Sequence, residues 1–155
     1  PPISDFTAIP ANQSVSAQDA AARRDLTAQP YHDAISAALD ARLAAGLPTV
    51  LISLHSFTPV MRGVPRPWTY GVLHEGNSPF SRAVIERLRQ RFGAAVIGDN
   101  QPYSLSGATD YSVPLHALAR GLDYLEIEVR QDLITAPDGQ AEVAALLAEV
   151  LPAAL

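Results

Sequence analysis

Hydrophobic residues along the chain recur at helical spacing in some stretches and form short continuous runs in others. Apolar positions three and four residues apart predict a helix from Tyr31 to Ala45, which Gly46 ends. The same reasoning predicts helices over 16–29 (ended by Pro30), 78–92, 111–120 and 141–151. Short apolar runs predict strands over 48–54, 70–73, 94–97 and 123–130. This alternation of helices and strands is typical of an α/β layered fold.

Polar stretches follow three of the predicted strands, at 55–69, 98–110 and 131–138. In α/β sheets, ligands bind beside the carboxyl ends of the strands. We therefore searched these stretches first for residues that could bind a substrate or take part in a reaction.

His55 directly follows the predicted strand 48–54, and Pro59 stiffens the loop after it. A neutral imidazole at a strand end can bind a metal or act as a general base. A half-buried histidine whose ring nitrogens bond to the backbone explains the same position, and on frequency alone it is the commoner case.

The predicted strand 123–130 alternates strictly between apolar and charged side chains. Leu125, Ile127 and Val129 face one side, and Glu126, Glu128 and Arg130 face the other. A strand with one solvated face explains this pattern and is the commoner case. The alternative is that Glu128, the acid nearer the following loop, is a general base and Arg130 holds the strand end.

Other polar residues in the loops are weaker candidates. On the predicted helix 111–120, His116 shares a face with Arg120, and a surface or cap histidine is the commoner explanation. Arg66 could bind a substrate carboxylate, although arginines in loops are usually solvated. Within the segment 99–103, Asn100 and Tyr103 could donate hydrogen bonds to a substrate, but a turn also explains them.

Composition excludes several classes of function. The chain has no cysteine, which excludes a disulfide scaffold, a zinc ribbon, an iron–sulfur site and a thiol nucleophile. The net charge is −5 and the basic residues are scattered, so we expect no nucleic-acid partner. No apolar run is long enough for a membrane span. All 11 basic residues are arginine, so a cationic anchor would be a guanidinium, which suits carboxylates.

Several segments together resemble the N-formylglutamate amidohydrolase family. The resemblance is carried by Leu54-His-Ser-Phe-Thr-Pro59, Arg66-Pro-Trp68, Asp99-Asn-Gln-Pro-Tyr-Ser104 and Glu126-Ile-Glu-Val-Arg-Gln-Asp-Leu-Ile134. These strings keep their order and spacing over nearly the whole chain.

The resemblance implies a three-layer α/β fold of the phosphorylase/hydrolase-like type, with a mixed sheet between helices, related to zinc carboxypeptidases and aspartoacylases. It implies a cytoplasmic, zinc-dependent enzyme (another divalent metal would also serve) that hydrolyses N-formyl-L-glutamate in histidine degradation. By the same likeness His55 is a metal ligand and Glu128 the catalytic base. The residues expected to line the substrate site are Ser56, Arg66, Asn100, Tyr103, His116 and Arg130. Another N-acyl amino acid or a small peptide as substrate remains an alternative, and so does a non-catalytic binding protein or degenerate paralogue.

One departure from the pattern concerns the metal. Related hydrolases take two ligands from an early segment, which does not occur here before His55, whereas catalytic zinc normally has three protein ligands. The chain also begins with Pro1-Pro2 rather than methionine. We therefore expect residues 1–155 to be the C-terminal portion of one zinc-hydrolase domain, inactive alone and packed against a missing N-terminal segment that carries the first strands.

Overall fold

The computed structural model describes residues 2–4, 7–76, 78–107 and 110–155. The chain divides into two compact units, Pro1–Leu47 and Pro48–Leu155. No helix in these described ranges is both long enough and apolar enough to cross a membrane.

The first unit consists of a small strand pair and two helices. Strands β1 (Ile3–Ser4) and β2 (Thr7–Ala8) pair antiparallel, and helices α1 (Ala17–Leu26) and α2 (Ala28–Ala44) follow. The hydroxyl of Ser16 caps α1 by accepting a hydrogen bond from the Asp19 N–H at 3.0 Å. The prediction that Pro30 ends the first helix is wrong, because Pro30 lies in the first turn of α2, where its missing N–H costs no hydrogen bond.

The second unit is a four-stranded mixed sheet with two long helices. Its elements are β3 (Val50–Phe57), β4 (Val60–Met61), β5 (Val64–Pro65), β6 (Tyr70–Leu73), α3 (Pro79–Phe92), β7 (Ile97–Asp99), β8 (Asp123–Arg130) and α4 (Pro137–Ala153). The order in the sheet is β3-β8-β6-β7. Strand β8 runs parallel to β3 and antiparallel to β6, and β6 runs parallel to β7.

The two faces of this sheet bury different sets of residues. On one face, Leu125, Ile127 and Val129 of β8 pack with apolar residues of α3 and α4 in the main core. On the other face, a smaller cluster forms around Leu73, Tyr124 and Val113. The alternation predicted for β8 is therefore confirmed, since its odd-numbered apolar residues from 125 onwards enter the main core.

Element boundaries differ from the predictions where long-range pairing decides them. Strand β3 continues to Phe57, because its parallel ladder with β8 runs as far as Arg130. His55 therefore lies within the strand rather than after it. The predicted loop 55–69 contains the β4–β5 hairpin, and β7 begins only at Ile97, after a 3-10 turn. In place of one regular helix over 111–120, residues 113–120 form a π-helical turn, with Pro114 in its first turn, and then a 3-10 turn.

The directions of the strands decide at which end of the sheet each loop leaves. Because β6 and β7 run antiparallel to β3 and β8, the carboxyl ends of the two pairs lie at opposite ends of the sheet. The polar stretch after β7 therefore leaves the sheet at the end opposite to the stretches after β3 and β8. The mixed α/β sheet itself is confirmed, while the three-layer arrangement and the absent N-terminal strands stay predictions.

Candidate active site

His55 and Glu128 lie side by side on the sheet face opposite the main core. They are direct register partners on the parallel strands β3 and β8, so their side chains project from the same face, about 5 Å apart at the backbone. On the other side of Glu128, the register partner on β6 is Gly71, which has no side chain. Glu128 therefore has a histidine beside it on β3 and, on β6, a glycine over which the backbone of Gln101 lies.

Glu128 is buried and incompletely bonded. Its side chain is 5% exposed, and its Oε2 atom has no hydrogen-bond partner among the residues that the structure describes. Burial raises the pKa of Glu128 to about 7; Glu126 and Asp110 add to the rise, whereas His55 and Arg66 oppose it. A carboxylate poised near neutrality with an unused oxygen can accept a proton from a small molecule such as water.

Glu126, two residues earlier on the same face, forms a second buried acid. Burial is the largest cause, and together with the charge and the hydrogen bond of the Asp110 carboxyl it raises the pKa of Glu126 to about 7. Asp110 is itself held by the Ser106 N–H, which donates to its Oδ2 at 2.7 Å. Two hydrogen-bonded carboxyls must share a proton, so this pair carries less than two negative charges at neutral pH.

Arg66 provides the cationic group of the site. Its guanidinium lies over the Tyr103 ring at 4.9 Å and near the Phe57 ring at 5.9 Å. Its Nη1 donates to the Tyr103 hydroxyl at 3.1 Å and more weakly to Thr58. The influence of Arg66 on the pKa of Glu128 places it within electrostatic range of that acid. Tyr103 and Phe57 thus hold a half-buried arginine beside the buried base.

The loop after β7 folds back over the two glycines of the sheet. A Cβ at Gly71 would overlap the carbonyl oxygen of Gln101, and a Cβ at Gly98 would lie 2.6 Å from the same oxygen. Residues with side chains at these positions would lift the loop off the sheet. Glycine at 71 and 98 therefore allows the segment 100–103 to form a wall next to Glu128.

The remaining predicted site residues are not all brought together. Ser56 alternates to the opposite face from His55 and lines a groove of about 370 Å³ with residues of α4. At the end of β8, the Nε atom of Arg130 donates a hydrogen bond to Oδ1 of Asp132 at 2.7 Å. His116 is fully buried in the turn 113–117. Arg66 influences the pKa of Glu128 and donates a hydrogen bond to Tyr103. Asn100 is instead bonded to Val72 and His74 at the end of β6.

The donor set does not by itself fit a catalytic zinc ion. Within the described ranges, no group of three or more His, Asp or Glu side chains is arranged to hold a metal. His55 is exposed, and its Nε2 lies 2.8 Å from the Ser53 hydroxyl. Catalytic zinc normally takes three protein ligands. Of such a ligand set, the described residues supply the imidazole of His55.

Sequence reasoning missed Asp110, Phe57 and the two glycines as parts of this site. Asp110 is 16 positions from Glu126 in the chain, and only the fold joins them. The paired glycines offered a signal, since an isolated glycine in a strand often marks the close approach of another backbone.

Comparison with known proteins defines the class to which this α/β fold and its buried carboxylates belong. The sequence model of the N-formylglutamate amidohydrolase family matches residues 1–135, so the chain belongs to that family. The crystal structure of a gene product from Agrobacterium tumefaciens is similar over 99% of this chain, with a TM-score of 0.89 and 32% identity. The chain spans 60% of that protein's length. No curated protein matched the sequence.

Proposed function

We propose that the protein hydrolyses the formamide bond of N-formyl-L-glutamate to formate and L-glutamate. Family membership supports an amidohydrolase. The observation that carries the proposal is the buried Glu128 carboxylate, whose Oε2 atom has no partner among the described residues and whose pKa lies at about 7.

In the proposed reaction Glu128 is the general base. Its carboxylate accepts a proton from water while the water oxygen bonds to the formyl carbon. The carbon–nitrogen bond then breaks, and the proton passes from Glu128 to the departing amine of glutamate. A base with a pKa near neutrality can both take and return that proton, which a carboxylate at its ordinary pKa does less well.

Arg66 is the proposed anchor for a substrate carboxylate. A guanidinium binds a carboxylate through two parallel N–H donors. Because the Tyr103 and Phe57 rings hold this guanidinium, little side-chain entropy remains to be lost on binding. N-formylglutamate carries two carboxylates, one of which Arg66 would bind while the formyl group faces Glu128.

We also propose that the working enzyme contains zinc, with His55 as one ligand. The support is the resemblance at 54–59 and the position of His55 directly across from Glu128. The remaining ligands would come from outside the described residues, since these offer no suitable group of three.

Formate release tests the proposed reaction. The protein, expressed from its complete coding sequence, should release formate from N-formyl-L-glutamate faster than from N-formyl-L-glutamine, whose side chain lacks the charge that Arg66 would bind. If the protein prefers another N-acyl amino acid, the proposed substrate is wrong and the proposed class of enzyme, an amidohydrolase, still holds. Absence of turnover on every N-acyl substrate would favour a non-catalytic paralogue.

A further inference from the structure

Asn100 joins the end of β6 to the loop that follows β7. Its backbone N–H donates to the carbonyl of Val72 at 2.9 Å, and its side-chain Oδ1 accepts the backbone N–H of His74 at 2.8 Å. Its φ of 53° lies in the left-handed region, which asparagine adopts more readily than most residues. The amide oxygen of Asn100 is therefore committed to the fold.

Asp99, immediately before Asn100, fixes the same point from the other side of the sheet. Its Oδ1 lies 2.7 Å from Nε2 of the buried His74, and its Oδ2 accepts from Nη2 of Arg89 on α3 at 3.2 Å. The start of the loop is thus tied to β6 through both its side chain and its backbone, and to α3 through an ion pair.

The loop that begins at Asn100 reaches the guanidinium of Arg66 at its other end, Tyr103. Gln101 lies against Gly71 and Gly98, and two residues later the Tyr103 hydroxyl accepts a hydrogen bond from Arg66 at 3.1 Å. Between Asn100 and Tyr103 there are only two residues, Gln101 and Pro102. A change in the direction of the chain at Asn100 would therefore move Tyr103 and, with it, Arg66.

We propose that Asn100 is a positioning residue that sets Tyr103 and Arg66 relative to Glu128, so that it controls affinity for a carboxylate-bearing substrate and not the chemical step. The inference rests on the proposed function, which gives Arg66 a substrate carboxylate to bind. It differs from a contact in which the amide oxygen of Asn100 accepts a hydrogen bond from substrate, because that oxygen is already bonded to His74.

Two substitutions at this position separate the hydrogen bond from the backbone geometry. Asn100→Gly keeps the left-handed backbone and removes the acceptor, whereas Asn100→Asp keeps both an acceptor oxygen and tolerance of positive φ. Losing one hydrogen bond that orders the anchor should raise KM for N-formyl-L-glutamate about tenfold in Asn100→Gly, with kcat within about twofold of wild type. Asn100→Asp should restore most of the affinity.

Calorimetry of glutarate binding measures the affinity of the Arg66 site for a carboxylate without any reaction. Glutarate affinity should fall about tenfold in Asn100→Gly, as KM rises. Tyr103→Phe, which removes the hydroxyl that accepts from Arg66, should reproduce the effect, and it replaces Asn100→Gly if that variant does not fold.

The outcomes distinguish this inference from the proposed function. If the wild type hydrolyses N-formyl-L-glutamate but neither Asn100→Gly nor Tyr103→Phe changes KM or glutarate affinity, the positioning role is overturned. The proposed function is then unaffected. A lower kcat with an unchanged KM in these variants also overturns the positioning role. Glutarate binding that weakens in Asn100→Gly and recovers in Asn100→Asp supports positioning even if N-formylglutamate is not hydrolysed. A wild-type protein that neither hydrolyses N-formylglutamate nor binds glutarate contradicts both.

Discussion

Glu126 and Glu128 project from one face of β8, and burial is the main reason that the pKa of each rises to about 7. The alternation along 123–130 was enough to predict that both acids share a face. It could not show that this face is buried, because the same pattern fits a solvated strand. The covering residues, such as Asp110 and Val113, come from a segment whose contacts with β8 are set by the fold.

The raised pKa of Glu126 predicts how stability depends on pH. The ordinary value of 4.5 applies to the unfolded chain, and about 7 applies to the folded protein. Between these values the folded state holds more protons, so the free energy of unfolding should fall as pH rises from about 4.5 to 7. For one such group the slope is at most about 1.4 kcal/mol per pH unit.

Glu126→Gln should reduce this slope, because the amide does not titrate. Urea unfolding at several pH values between 4.5 and 7 measures the effect, and Glu142→Gln on the exposed side of α4 is the matched control. An equal slope in wild type and Glu126→Gln would contradict the assignment of a raised pKa to Glu126.

At the scale of elements, local sequence predicted which segments form strands but not how far they extend or which way they run. The bounds of β6 and β8 follow from their apolar runs, and the structure confirms both. Strand β3 is longer than predicted because β8 provides a partner for its last three residues. The loop at 100–103 could not be placed from sequence, because its position depends on β6 and β7 running against β8.

The close approach of this loop to the sheet predicts a strict requirement for glycine at position 71. In Gly71→Ala the new Cβ would overlap the Gln101 carbonyl oxygen, which is backbone and cannot rotate away. We expect a loss of about 1–3 kcal/mol in the free energy of unfolding, measured by chemical denaturation.

Gly107→Ala is the matched control for this substitution. Apart from its chain neighbours, no described residue has an atom within 4 Å of a Cβ built there, so its free energy of unfolding should stay within about 0.5 kcal/mol of wild type. Equal stability of Gly71→Ala and Gly107→Ala would show that the loop does not lie against β6 as described.

At the scale of the whole molecule, the four-stranded sheet exposes apolar side chains along one of its edge strands. Strand β3 is an edge strand, and its residues Ile52 and Leu54 are 43% and 61% exposed. Edge strands of this length and apolarity are normally covered or protected by charge. We propose that a further segment of the same protein pairs with β3 and brings additional zinc ligands to His55. The resemblance predicted this arrangement, whereas periodicity and spacing alone did not.

Zinc retention tests this proposal. The protein expressed from its complete coding sequence should retain about one zinc ion per chain after dialysis, and His55→Ala should lose it, because removing one of three ligands weakens binding strongly. Metal analysis measures the content, with His32→Ala as a histidine control remote in sequence. Full zinc occupancy in His55→Ala would remove His55 from the ligand set.

The central claim is that the carboxylate of Glu128 is the base in hydrolysis of N-formylglutamate. The most direct measurement is the rate of formate release from N-formyl-L-glutamate by wild type and by Glu128→Gln, with unfolding followed in parallel. We predict that the glutamine variant folds and loses turnover by about 100-fold or more. Turnover within a few-fold of wild type in the folded variant would contradict the claim.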